Sequence, residues 1–96
     1  MAIRSFSDPA TEEIFLSGRL RKRVGWRGIA AVVRRKLDLL HYAEDLMDLR
    51  SPPGNRLEAL KGDLKGYHSV RINDQWRVVF RWTGGGADEV RVQDYH

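Results

Sequence analysis

The chain has 96 residues, of which 42% are hydrophobic and 31% charged, and it carries a formal net charge of +4. This composition is typical of one soluble globular domain, and we expect residues 1–96 to form it. No apolar run approaches the roughly 20 residues that span a bilayer. The absence of cysteine excludes disulfides and thiolate chemistry. We therefore expect a cytoplasmic protein without a membrane contact.

The first half of the chain predicts a short strand and two helices. Residues 2–6 form the predicted strand. Asp8 is a suitable N-cap and Pro9 a suitable first residue for a helix that ends before Gly18. A longer helix is predicted over residues 27–49, where apolar residues recur at spacings of three and four.

The second half changes to a period of two, which predicts strands. Alternation over residues 67–73, 76–83 and 90–95 predicts three strands, with turns at 73–75 and 84–86. Short turns between consecutive strands indicate an antiparallel meander. The predicted fold is therefore α+β, with the N-terminal strand and both helices packed on one face of a small antiparallel sheet.

The alternation also separates the two faces of the sheet. Trp76, Val78, Phe80 and Trp82 share the predicted core face, and His68 falls on the same face as a core histidine. The opposite face, which we expect to be open, carries arginines together with Tyr95: Arg71, Arg77, Arg81 and Arg91. Guanidinium and aromatic groups on a sheet face favour single-stranded RNA as a ligand.

A second basic region precedes the long helix. Eight basic residues and no acidic residue lie between Arg19 and Lys36, and arginine outnumbers lysine thirteen to four in the chain. Arginine binds phosphate through two parallel hydrogen bonds, so this bias favours nucleic acid, whereas a solvated helix face is the plainer interpretation. The residues expected to contact RNA here are Arg21, Lys22, Arg23 and Arg27.

RNA cleavage without a metal needs a proton acceptor, a proton donor and cations near the phosphorane. The candidate cations are Lys61 and Arg77, and the candidate proton carriers are Glu58, Asp94, Tyr95 and His96. His96 could equally be a frayed terminal residue, and Tyr95 could equally stack on a base. The carboxylates are scattered and the histidines lack ligand spacing, so we expect no metal and no cofactor.

Three runs of residues resemble the HigB-type toxins of the RelE superfamily: Arg56–Asp63 (RLEALKGD), Gly66–Arg77 (GYHSVRINDQWR) and Asp94–His96 (DYH). The resemblance implies a bacterial toxin that binds the ribosomal A site and cuts the mRNA under translation. It also implies a helix-turn-helix antitoxin as partner, with DNA contacted only through that antitoxin. The 70S ribosome and mRNA are the other implied partners.

The resemblance places the functional residues of the family on particular positions of this chain. The cleft cations correspond to Lys61 and Arg77, a polar cleft residue corresponds to Gln75, and the C-terminal site corresponds to residues 94–96. Glu58 stands where some relatives have histidine, so the proton acceptor is either this carboxylate or His96. A non-catalytic module that binds RNA or only the antitoxin is the alternative function.

Overall fold

Two helices pack against one face of a four-stranded antiparallel sheet in the computed structural model of the protein, which describes residues 2–95. The elements are α1 (Pro9–Ser17), α2 (Ala30–Tyr42), β1 (Glu58–Ala59), β2 (Tyr67–Arg71), β3 (Trp76–Thr83) and β4 (Gly86–Asp94). The strands lie in the order β1-β2-β3-β4, and each pairs antiparallel with its neighbour. The α+β prediction is confirmed. Within residues 2–95, no helix has the length and apolar character needed to cross a membrane.

Helix α1 begins and ends as the sequence predicts. The Asp8 side chain caps it by accepting hydrogen bonds from the Ala10 amide at 3.3 Å and the Thr11 hydroxyl at 2.5 Å. At the other end the Gly18 amide donates to the Ile14 carbonyl. These bonds satisfy backbone and side-chain groups that the helix ends leave without partners.

The predicted long helix over residues 27–49 is wrong at both ends. A 3₁₀ turn covers Arg27–Ile29, α2 ends at Tyr42, and Ala43 is extended with ψ 132°. A separate 3₁₀ helix, Leu46–Arg50, follows, and its N-cap Asp45 forms a capping box with Asp48. Side-chain oxygens bind the backbone amides of this segment, and this competes with continuation of the α-helix.

The N-terminal segment and β4 also differ from the prediction. Residues 2–6 form only two isolated parallel bridges to β4 instead of a continuous strand. The ladder is interrupted because the Glu89 amide donates to the Ser5 side chain at 2.9 Å. Strand β4 begins at Gly86 instead of Val90, since Gly84 (φ 55°) and Gly85 (φ 79°) make a two-residue hairpin turn that requires positive φ.

The core lies between the helices and one face of the sheet. Leu37 and Leu40 of α2 pack with Val78 and Phe80 of β3 in one buried cluster. His68 stacks on Phe80 with ring centroids 6.2 Å apart, and burial lowers the pKa of this imidazole. The predicted core face is therefore confirmed for β3, and His68 lies half-buried on it, with a buried Nδ1 that has no hydrogen-bond partner.

The opposite face is less open than predicted. Val79 and Ser69 are fully buried on it, and Arg77 is only 6% exposed. The reason is that long side chains lie across this face, where Arg77 stacks on Tyr95 and two other arginines stack on one tyrosine. These stacked side chains bury the centre of the face and hold its guanidinium groups in place.

Candidate functional site

The candidate site lies at one end of the sheet, where β1, β3 and the end of β4 meet. Glu58 in β1 pairs with Ser69 of β2, and Trp76 at the start of β3 pairs with Asp94 at the end of β4. The Tyr95 amide donates to the Gln75 carbonyl at 2.6 Å and so continues the chain along this edge. Cross-strand pairing thereby brings together residues that are far apart in the sequence.

Tyr95 connects two of the candidate groups. Its hydroxyl donates to Oε1 of Glu58 at 2.7 Å, and the guanidinium carbon of Arg77 lies 4.8 Å from its ring centroid. The hydrogen bond to Glu58 and the negative charge of that carboxylate raise the pKa of the Tyr95 hydroxyl above its ordinary value, against the opposing effect of Arg77. Tyr95 is therefore a proton donor at neutral pH and cannot act as a base in its resting state.

Arg77 is a buried cation. Its Nη2 donates to the Arg56 carbonyl at 2.7 Å, and Arg56 adopts a left-handed backbone (φ 45°). The buried Nε has no hydrogen-bond partner, and no carboxylate within residues 2–95 forms a salt bridge with this side chain. A buried guanidinium without a counter-charge creates a positive potential that a nearby anion would offset.

Lys61 lies in the same cleft as the Tyr95–Glu58 pair. The cleft has a volume of about 510 Å³, and its lining includes Glu58, Lys61, Leu64 and Tyr95. This volume is in the ordinary range for sites that bind small molecules or single groups of a polymer. A carboxylate, a protonated hydroxyl and one cation therefore line one cleft, and Arg77 stacks on the ring of Tyr95 without lining the cleft itself.

The other predicted residues of this region lie beside the cleft. Gln75 donates from Nε2 to the Asp94 carboxylate at 3.0 Å, and Arg71, which pairs across the strands with Arg77, forms a salt bridge with Asp74. None of these three residues lines the cleft. The prediction for His96 falls outside the described residues.

A second cluster on the same face includes two residues that the sequence reasoning missed. The guanidinium carbons of Arg81 and Arg91 each lie 5.1 Å from the Tyr67 ring centroid, and the Tyr67 hydroxyl donates to Glu89 at 2.9 Å. Tyr67 shares the outward phase of β2, so alternation could have included it. Glu89 gives no such signal, because its role depends on a left-handed backbone (φ 55°) within β4.

The basic connector forms a separate cleft beside α1. Arg21 donates from Nε to Glu13 at 2.8 Å, and Arg27 donates to the Arg21 carbonyl at 3.1 Å. The hydrogen bond from Arg21 lowers the pKa of Glu13. Lys22 joins these residues in the lining of a cleft of about 610 Å³, whereas Arg23 is exposed outside that lining. The cluster is thus ordered by internal contacts, and part of its charge is neutralised.

Solved structures with the same architecture are bacterial toxins. The fold matches a YoeB/ParE toxin from Agrobacterium tumefaciens with a TM-score of 0.56 and 24% identity, covering 100% of both chains. It also matches a chain of the YoeB–YefM complex from Staphylococcus aureus with a TM-score of 0.60 and 20% identity, covering 100% of this chain and 99% of the other. At these identities the likeness establishes the fold, which is that of RelE-type toxins.

Sequence comparison identifies the family within this class. Residues 4–96 match the family described as HigB-like toxin, the RelE-like toxin of the type II toxin–antitoxin system HigB. The chain is 42% identical over 82 residues to Toxin HigB-1 of Vibrio cholerae, covering 85% of both proteins. It is 39% identical over 41 residues to Endoribonuclease HigB of Proteus vulgaris, covering 43% of this chain and 45% of that protein. The chain therefore belongs to the HigB-like family of type II toxin–antitoxin toxins.

Proposed function

We propose that this toxin is a metal-independent endoribonuclease that cuts translated mRNA in the ribosomal A site. The observation that carries the proposal is the hydrogen bond between Tyr95 and Glu58, with Arg77 stacked on the same tyrosine ring. The name of the partial relative from Proteus vulgaris, an endoribonuclease, supports the same activity. Inhibition of translation and growth follows from loss of the messages.

In this proposal the substrate supplies the nucleophile. The 2′-oxygen attacks the adjacent phosphorus, the bond from phosphorus to the 5′-oxygen breaks, and the products carry a 2′,3′-cyclic phosphate and a 5′-hydroxyl. Glu58 accepts the 2′ proton and Tyr95 gives its proton to the leaving oxygen. The proton on Glu58 then returns to Tyr95 along their 2.7 Å hydrogen bond, so the pair is restored after each cleavage. His96, next in the chain, is the other candidate proton carrier.

The two cations act on the charge that develops at phosphorus. Arg77 is held by the Arg56 carbonyl and the Tyr95 ring, so its guanidinium charge is fixed in position before the substrate arrives. Such preorganised donors stabilise a transition state without the cost of reorganisation. Lys61, on the wall of the cleft, is placed to contact a second phosphate oxygen.

Binding to the ribosome is assigned to the basic groups outside the cleft. The residues that would contact ribosomal RNA are Arg21, Lys22, Arg23 and Arg27. The residues that would contact RNA at the sheet face are Arg71, Gln75, Arg81 and Arg91. Contacts of this kind weaken as salt rises and depend little on base sequence. A helix-turn-helix antitoxin is the proposed protein partner, DNA is reached only through it, and the cytoplasm is the proposed location.

The experiment that tests the proposal is expression of the toxin in bacteria, with growth measured and new mRNA ends mapped. We expect growth arrest, and we expect cuts within translated reading frames that leave 5′-hydroxyl ends. A single 2′-deoxynucleotide at the mapped cut should abolish cleavage on programmed ribosomes. New ends bearing 5′-phosphates, or growth arrest without new ends, would contradict the proposed chemistry.

Variants separate catalysis from binding. Two variants, Arg77→Ala and a deletion of residues 95–96, should abolish cleavage while the protein still sediments with ribosomes. The control is Arg50→Ala, at an exposed position outside every cluster above, which should behave as wild type. If Arg77→Ala abolishes ribosome binding as well, the protein is a binding module and Arg77 is part of its docking surface.

A further inference from the structure

We infer that the sheet face carries a second RNA subsite, the Tyr67 clamp, formed by Tyr67, Arg81, Arg91 and Glu89. The clamp holds a phosphate of the mRNA strand away from the cut. This inference rests on the proposed function, because it assumes that the strand in the cleft is RNA. It adds Tyr67 as a positioning residue and gives Arg81 and Arg91 a shared role.

The clamp holds two like charges beside one aromatic ring. Tyr67 in β2 pairs directly with Arg81 in β3, and Arg91 of β4 lies in the next cross-strand row, opposite Val79. Both guanidinium carbons lie 5.1 Å from the ring centroid of Tyr67. The negative face of a tyrosine ring attracts cations, so the ring restricts the orientation of both groups.

The positive charge of the clamp is incompletely neutralised. Within residues 2–95, the carboxylate that pairs with the clamp is that of Glu89, whose Oε2 lies 3.9 Å from Nε of Arg81 and whose Oε1 accepts the Tyr67 hydroxyl. Asp88, the cross-strand partner of Arg81, forms its salt bridge with Arg4. Arg91 donates instead to neutral oxygens, to Gln93 at 2.8 Å and to Ser7 at 3.5 Å. By contrast, Arg71 on the same face has its own salt bridge with Asp74. The clamp therefore keeps a net positive charge, which favours binding of an anion.

The backbone of β4 is distorted at the clamp. The register between β3 and β4 shifts between Val79 and Arg81, and Glu89 takes up a left-handed φ of 55° at this bulge. The distortion is fixed from both sides, since the Glu89 amide donates to the Ser5 hydroxyl and its carbonyl accepts from the Ser7 hydroxyl. A left-handed residue other than glycine that is held by its surroundings is commonly found at functional sites. Here it brings a carboxylate against Tyr67 and Arg81.

The position of the clamp indicates which phosphate it holds. Arg77 and Arg81 lie on the same face of β3 four positions apart, which is a separation of about 13 Å at about 3.3 Å per residue. The two guanidinium groups are also held on different rings, Arg77 on Tyr95 and Arg81 on Tyr67, so we assign them to different phosphates. Arg77 therefore engages the phosphate at the cut, and the clamp engages another phosphate along the same strand.

The test is binding of a fluorescent, fully 2′-O-methylated single-stranded RNA decamer, which cannot be cleaved, measured by anisotropy at several salt concentrations. The slope of log affinity against log salt should fall by about 0.7 in Arg81→Gln/Arg91→Gln, since the clamp engages one phosphate and each phosphate on a single strand contributes about 0.7. Tyr67→Leu should weaken binding about fivefold or more, whereas Tyr67→Phe, which keeps the ring, should bind within twofold of wild type. Arg50→Gln is the matched control and should leave the slope unchanged.

An unchanged salt dependence in the double variant would overturn the inferred clamp. Failure of the wild-type protein to bind the decamer at low salt would overturn it as well. Loss of affinity for an RNA hairpin without loss for the single strand overturns it too, because the clamp would then contact duplex RNA. Circular dichroism and thermal unfolding of each variant verify that it is folded. Because the decamer is not cleaved, the binding result is independent of the nuclease proposal. If the nuclease proposal alone failed, no cuts would appear on ribosomes but the clamp would still bind the decamer.

Discussion

Replacing Arg77 with methionine removes a charge from a position that is 6% exposed and keeps an unbranched side chain of similar reach. The change deletes the hydrogen bond to the Arg56 carbonyl at 2.7 Å and the stacking on Tyr95 at 4.8 Å. It also deletes the buried Nε group that has no partner. The variant therefore removes both the stabilising and the destabilising contributions of one buried cation.

The two sets of contributions are similar in size. A hydrogen bond to a charged group contributes about 1.5–3 kcal/mol, and a cation–π contact contributes about 0.5–2 kcal/mol. Against these, taking a cation out of water costs several kcal/mol, and an unsatisfied buried donor costs about 1–3 kcal/mol. We therefore expect the free energy of unfolding of Arg77→Met to equal that of wild type or to exceed it by up to about 2 kcal/mol.

The two assays are urea denaturation and mRNA cleavage on programmed ribosomes. The denaturation midpoint should hold or rise at an unchanged slope, while cleavage should fall by about 10²–10³-fold, the usual loss for one charge-stabilising donor. Arg77→Lys is the control: it keeps the buried charge without the planar fork, so it should be less stable than the methionine variant. Loss of more than about 2 kcal/mol in Arg77→Met, beyond the range estimated from these contacts, would show that Arg77 is a structural residue and refute this reasoning.

Three further predictions concern titration and packing. In an alkaline absorbance titration, Tyr95 should ionise above the ordinary tyrosine pKa of about 10. Glu58→Gln should lower the pKa of Tyr95, because the hydrogen bond to the Glu58 carboxylate is the main cause of the increase. An unchanged titration in Glu58→Gln would be evidence against the Tyr95–Glu58 pair. Hydrogen bonding from Arg4 lowers the pKa of Asp88, so the contribution of this carboxylate to stability is present above its ordinary pKa of 3.8 and is lost as pH falls through the folded pKa. Asp88→Asn should therefore be less stable than wild type at neutral pH, and the two urea midpoints should converge in acid. Asn55 is fully buried and donates to two backbone carbonyls. Asn55→Ala should therefore lower the free energy of unfolding by about 2–3 kcal/mol, and a loss below about 1 kcal/mol would contradict the bridging role of this side chain.

Local sequence signals predicted those elements that are held by local contacts. The Asp8 cap, the apolar phase of β3 and the glycine turn after it depend on residues within a few positions of each other. All three are present, although the turn is shorter than the predicted 84–86 because Gly86 belongs to β4. The break in α2 also had a local signal, since Asp45 and Asp48 have the spacing of a capping box, but the apolar periodicity across it favoured one long helix. Capping hydrogen bonds outweigh the apolar periodicity at this point and end the helix.

Sequence by itself determined the fold class and the family, because strand alternation and the three matching runs are properties of the chain in order. Of the residues that the sequence predicted for the site, Glu58, Lys61 and Tyr95 line one cleft, whereas Arg77, Gln75 and Asp94 do not. Only the tertiary structure decided that Tyr95 bonds to Glu58, that Arg77 is buried without a counter-charge, and that Arg81 and Arg91 share the ring of Tyr67. These contacts join residues on different strands, and their geometry depends on cross-strand register and on the bulge at Glu89. Neither feature is encoded in any short stretch of sequence, since both arise when distant segments pair and pack.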